Sequence, residues 1–318
     1  MSKTTVLLFG TLALAFAACS PRPEAPPLKS PQTGPQASRA EEAPAGGSAV
    51  ERAAARAPDG VSIAYDVRGA GDPTLVFVHC WACDRTFWKE QVDVFAEDHR
   101  VVTLDLAGHG ESGREREAWS VLGLAGDVEA VVDELGLERV VLVGHSMGGP
   151  VSLEAARRMP GRVLGVACID TLHDLSARFP KELAEQLVAL YRADYAGTMA
   201  ASVGYMFPFA RPELESWVAE RASLADPEGT IALLADFTDL DLPSVARQLR
   251  VPVRCVNVEP VEGYGQPTNI EGNQELLDFD ARLIGGVGHY VQLERPAELN
   301  DALRWAIGEI ETAQVGRE

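Results

Sequence analysis

The sequence predicts an α/β fold, a mostly parallel sheet covered by helices on both faces. Three observations predict it. Short, near-continuous apolar runs recur along the chain, as strands buried on both faces require. Segments with helical spacing fill the gaps at residues 85–97, 120–135, 147–159 and 294–312. One of the apolar runs ends in a glycine-flanked serine that opens straight into a helical pattern.

Taken in order, residues 61–67 and 74–79 are β-rich runs divided by a Gly-Ala-Gly-Asp-Pro turn cluster. Further strands are expected at 100–106, 139–145, 163–170, 251–258 and 279–284. The exception to the alternation is 171–242, a long helical stretch without a strand, which reads as a lid inserted between two strands. Helical residues 294–312 close the fold.

What precedes residue 59 has a different character. Lys3 is followed by an apolar run over 6–18, shorter than the ~20 residues that span a bilayer, so residues 1–18 read as a secretory signal peptide. The run ends Phe16-Ala-Ala-Cys19, which resembles a bacterial lipobox with Phe16 where leucine is usual. That resemblance implies a lipid on Cys19 and a protein held to the membrane of the bacterial cell envelope. Ordinary cleavage, releasing a soluble periplasmic or secreted protein, is the alternative. Residues 19–58 contain eight prolines and almost no large apolar side chain, the composition of an extended, disordered linker. The folded unit is therefore assigned to residues 59–318, with the helical cap at about 171–242.

The chain is 318 residues long, 46% apolar and 24% charged, enough for a sizeable core. Its net charge is −19, and residues 20–58 contribute five basic and four acidic groups, so the acidity lies on the folded unit. Such a polyanion is repelled by phosphate backbones, which argues against general nucleic-acid binding. The five cysteines are Cys19, Cys80, Cys83, Cys168 and Cys255. Cys80-x-x-Cys83 fits a redox pair or half a zinc site, but no second pair follows. No metal or cofactor is expected, and the cysteines of the folded unit read as buried free thiols.

The chemistry is concentrated in Gly144-His-Ser146-Met-Gly148. A strand running into G-x-S-x-G and then a helix is the nucleophile elbow pattern: the glycines leave room where strand and helix crowd, and the serine stands at a helix N-terminus. Here the chain resembles the α/β-hydrolase family over residues 59–312. The resemblance rests on this elbow, on Phe77-Val-His-Cys-Trp81, on Leu104-Asp-Leu-Ala-Gly-His-Gly-Glu-Ser112 and on Gly288-His289. It implies the α/β-hydrolase fold, with the lid after the sixth strand, and Ser146 as nucleophile.

The resemblance further implies His289 as general base and an oxyanion hole from the backbone N–H groups of Trp81 and Met147. Cys80 stands where the family often has glycine, which puts the conformation of that loop in question. The family's usual acid position, after the strand at 251–258, falls on Pro260. Glu259 and Glu262 are close but out of step. A branch of the family takes its acid from the preceding strand, which ends here at Asp170, and Asp170 is the choice. Glu259, Glu262 and Asp174 stay open. His145, Tyr205 and Phe207 are the candidates for the substrate pocket wall.

A serine at the elbow disfavours the dehalogenase and epoxide-hydrolase chemistries, which need an aspartate nucleophile. The expected function is hydrolysis of an ester or related acyl bond in a small, partly apolar substrate through an acyl-enzyme. Lactone opening, C–C cleavage, perhydrolysis and non-catalytic ligand binding are the alternatives. The sequence does not fix the oligomeric state.

Overall fold

The seven apolar runs become strands of a single eight-stranded sheet in the computed structural model, which describes residue 22 and residues 50–315. The strands are β1 (Glu51–Arg56), β2 (Ser62–Arg68), β3 (Thr74–Val78), β4 (Val101–Leu104), β5 (Val140–His145), β6 (Val163–Ile169), β7 (Val253–Val258) and β8 (Phe279–Ile284). Their order is β1-β2-β4-β3-β5-β6-β7-β8. β2 runs antiparallel to both of its neighbours, and every other pairing is parallel. Strands β3 to β7 are buried along their whole length, which is why they read as continuous rather than alternating apolar runs.

The main helices are α1 (Ala125–Glu134), α2 (Gly148–Arg158), α3 (Lys181–Ala193), α4 (Tyr195–Met206), α5 (Pro212–Ala222), α6 (Pro227–Asp236) and α7 (Pro296–Val315). Side chains alternate across a strand, and β5 displays the consequence. Val140 and Leu142 join the core under α1 and α2, whereas Val141 and Val143 join the core under α7. Helices α3 to α6 all lie between β6 and β7 in the chain. They build a third apolar cluster around Leu183, Leu187, Tyr191, Met199, Val203 and Phe207. Leu183, Leu187 and Tyr191 are spaced at four residues, one stripe of α3. Asp194 and Asp226 cap α4 and α6 by accepting the N–H of Gly197 and Gly229.

Three features depart from the sequence reading. The fold begins before residue 59, because Glu51–Arg56 forms an edge strand on β2. Only Ala55 of that strand is buried, so backbone pairing rather than apolar content makes it a strand. Within the segment read as a disordered linker, Arg22 is held by α4 and α5: it donates to the carbonyls of Gly204 and Phe207 at 2.7 Å and pairs with Glu215 at 2.6 Å. Finally, Cys80 and Cys83 are not free thiols but a disulfide; among the described residues Cys168 and Cys255 are the free cysteines, both buried. The signal peptide, the lipidation of Cys19 and the rest of the linker up to residue 49 lie outside the described residues. Among the described residues no helix is long and apolar enough to cross a membrane.

Candidate active site

Strand β5 delivers Ser146 into a turn with φ of +52°, a left-handed conformation that a serine adopts only when its surroundings impose it. Two hydrogen bonds fix the turn: Ser146 N–H donates to Ile169 O at 3.0 Å, and Gly149 N–H donates to Ser146 O at 2.9 Å. The flanking glycines are required by space. A Cβ on Gly144 would stand 2.3 Å from Gly148 O, and one on Gly148 would stand 2.3 Å from Val78 O. Helix α2 starts at Gly148, so Ser146 sits at its N-terminus, where the helix dipole favours negative charge.

Ser146 and His289 line one cavity of about 400 Å³ together with Trp81, Met147 and Asp170. His289 follows β8 on a loop held by two bonds. Its own N–H donates to Met206 O at 3.0 Å, and the Gly288 N–H donates to Glu294 Oε1 at 3.0 Å. Its Nδ1 donates to Asp170 Oδ2 at 2.6 Å. A carboxylate can only accept, so this bond fixes the proton on Nδ1 and leaves Nε2 as the basic nitrogen. Burial by itself would raise the Asp170 carboxyl, but the hydrogen bonds from His173 and His289 outweigh it and hold the group well below the usual carboxylate range. Asp170 Oδ1 faces Nε2 of His173 at 3.3 Å and accepts the Val258 N–H at 3.3 Å.

The competing carboxylates go elsewhere. Glu259 and Glu262 are exposed. Asp174 accepts from Ser176 N–H and from the Asn269 amide. Adjacent parallel strands explain the outcome: β6 and β7 end side by side, and Asp170 turns back at φ of +44° directly after β6.

The loop carrying Trp81 is tightly specified. The Cys80–Cys83 disulfide brackets Trp81 and Ala82, and Ala82 takes the left-handed conformation at φ of +57°. Cys80 itself does not, so its Cβ costs the loop nothing in φ. Two buried histidines support it. His79 Nδ1 donates to Cys80 O at 2.7 Å while its Nε2 accepts the Leu106 N–H at 2.9 Å. His109 Nδ1 donates to Ala107 O at 2.8 Å while its Nε2 accepts the Ala82 N–H at 3.2 Å. Burial lowers the two rings to about 4 and about 3, so both stay neutral, as each must to donate at one nitrogen and accept at the other. Among the described residues no backbone carbonyl accepts from the N–H groups of Trp81 or Met147.

Of the pocket candidates, Tyr205 lines the cavity, and His145 and Phe207 do not. Strand alternation turns His145 to the face of Val141 and Val143. There it is buried, donates from Nε2 to His289 O at 2.9 Å and accepts from Gln292 at 3.1 Å. Burial lowers its ring to about 3, so a neutral ring rather than a cation lies beside His289. Phe207 lies past the end of α4, fully buried and stacked on Tyr290. The sequence reading missed Leu183 and Leu187 of the α3 stripe, Ser202 of α4, and the segment Tyr264–Gln266 after β7. Four-residue spacing was a usable signal for the first of these.

Glu294, which supports the His289 loop, is pushed up to about 7 by burial. Folding therefore favours its neutral form. That contribution is full below the ordinary carboxylate value of 4.5 and is lost as pH rises through about 7. Glu294→Gln keeps the acceptor for Gly288 and removes the titration. Thermal melts between pH 4.5 and 8 are expected to show wild type losing a few degrees relative to the variant across this window; parallel curves would contradict the assignment.

The strand order and the serine elbow together define an α/β protein with a serine-bearing turn at the C-terminal edge of its sheet. A family model described as alpha/beta hydrolase fold matches residues 73–206. The AB hydrolase superfamily protein YisY of Bacillus subtilis is 30% identical over 200 residues, 58% of this chain and 72% of that protein. The chain belongs to the alpha/beta hydrolase fold family. A second relative is the dihydrolipoyllysine-residue acetyltransferase component of the acetoin cleaving system of Cupriavidus necator. It is 39% identical over 111 residues, 35% of this chain, and the match spans only 30% of that protein's length. Among solved structures, one described as Est816, an N-acyl homoserine lactone degrading enzyme, superposes with a TM-score of 0.67 at 27% identity, covering 79% of this chain and 99% of that one. A thermophilic esterase from Thermogutta terrifontis gives 0.70 at 23% identity, over 82% and 99%, a likeness of fold.

Proposed function

We propose that this protein is a serine hydrolase that cleaves a neutral, partly apolar ester through an acyl-enzyme. Ser146 is the nucleophile, His289 the general base and Asp170 the acid that orients it. The observation that carries the reading is that the N–H groups of Trp81 and Met147, from which no backbone carbonyl among the described residues accepts, border the same cavity as Ser146 and the Asp170–His289 pair. Such donors are what a tetrahedral oxyanion needs, and in a preorganised site each contributes on the order of 10²–10³ in kcat.

In this mechanism His289 Nε2 takes the Ser146 proton as Oγ attacks the carbonyl carbon, and returns it to the departing alcohol. Water then attacks the acyl-enzyme with the same base. The cavity wall is mainly apolar, from Leu183, Leu187, Phe179, Leu234 and Phe237, and Asp170 is the only Asp, Glu, Lys or Arg among the lining residues. That composition favours an uncharged substrate. Lactone opening is the second reading, supported by the likeness to Est816. The experiment is turnover of a panel of neutral p-nitrophenyl esters and lactones by wild type and Ser146→Ala. Ester turnover that depends on Ser146 is expected, and its absence across the panel contradicts the proposal.

The disulfide has a place in this mechanism because it brackets Trp81. Replacing both Cys80 and Cys83 by serine is expected to lower kcat about tenfold with KM within about twofold, since the change loosens a donor used most in the transition state. An unchanged kcat would show that the loop is held well enough by His79 and His109 alone.

A further inference from the structure

The helical side of the cavity carries a polar pair in an apolar setting. Tyr191 of α3 and Ser202 of α4 both line it, both are buried, at 3% and 6% exposure, and the tyrosine hydroxyl donates to Ser202 Oγ at 2.7 Å. Two hydroxyls own two protons, and one bond between them uses one. Whichever group donates within the pair, one proton is left, and it meets no acceptor among the described residues. Ser216 and Ser223 behave differently, each donating to the carbonyl four residues earlier in its helix. A buried donor left unmade in this way costs free energy unless a bound molecule completes it.

The position of the pair relative to the chemistry follows from α4. Ser202 precedes Met206 by four residues, about 6 Å along a helix, and Met206 O accepts the His289 N–H. The pair therefore lines the cavity one helical turn from the loop that carries the base.

We propose that the Tyr191–Ser202 pair is a subsite for an acceptor oxygen on the acyl chain. The preferred substrates are then neutral esters bearing a carbonyl or ether oxygen a few bonds beyond the scissile carbonyl, rather than plain alkyl esters. This rests on the hydrolase reading above and names its substrate class.

The test compares p-nitrophenyl 4-oxopentanoate with p-nitrophenyl pentanoate, each corrected for its own hydroxide-catalysed rate. Wild type is expected to favour the oxo ester about tenfold in kcat/KM, as a site built to donate a hydrogen bond discriminates against a partner that lacks the acceptor. Ser202→Ala is expected to bring that ratio close to one, with an unchanged thermal melt reporting an intact fold. Tyr191→Phe, which frees Ser202 to rotate, should lower the ratio less. A wild-type ratio near one overturns the proposal. So does a preference that survives in Ser202→Ala, or an equal loss on both esters, which would make the pair a packing element. Turnover that persists in Ser146→Ala would instead sink the hydrolase reading itself, so the two failures are distinguishable.

Discussion

Ser146→Ala is expected to lower ester turnover by a factor on the order of 10⁶, the loss measured when the serine of an unrelated serine protease is removed. The size follows from the geometry rather than from the residue type. The serine occupies a left-handed turn held by Ile169 and Gly149, at the start of α2, in the cavity that also holds His289. Alanine tolerates the turn no worse than serine does, so the protein should remain folded. A variant with normal thermal stability and no turnover is therefore the expected outcome, and residual activity above about 1% would place the nucleophile elsewhere.

The second large effect is at Asp170. Asp170→Asn is expected to reduce kcat by about 10⁴, as in a serine protease whose buried acid is replaced by its amide. The amide can donate to His289 Nδ1, which moves the ring proton to Nε2 and removes the base. Glu259→Gln and Glu262→Gln should leave kcat within about twofold, since both side chains are exposed and His289 is already bonded to Asp170. His173 shares the same carboxylate, so Asp170→Asn should also lower stability. Activity in Asp170→Asn combined with its loss in Glu259→Gln would reverse the assignment.

How much of this was legible depended on what each feature rests on. The elbow was legible because Gly144 and Gly148 are fixed by close backbone approach, a constraint written directly in the sequence. The core strands were legible because burial on both faces leaves only apolar residues. Asp170 lies within hydrogen-bond distance of His289, yet Glu259 could be set aside only once the parallel edge of β6 and β7 was known. β1 was missed because Glu51–Arg56 is held by a backbone ladder that composition does not record. The disulfide was left open, with free thiols as the default, because a C-x-x-C spacing fits several chemistries. Phe207 was misplaced because it follows the last residue of α4, where helical phase no longer says which way a side chain turns. His145, in contrast, was readable: counting by twos from Val141 and Val143 puts it on the face away from the cavity.

The central claim is that Ser146 is an activated nucleophile. A fluorophosphonate probe followed by peptide mass spectrometry tests it most directly, because the probe reacts with a serine only when a base and an oxyanion site serve it. One adduct per chain is expected, on the peptide containing Ser146, lost in Ser146→Ala and slowed in Asp170→Asn. An unlabelled protein, or an adduct on another residue that persists in Ser146→Ala, would contradict the account.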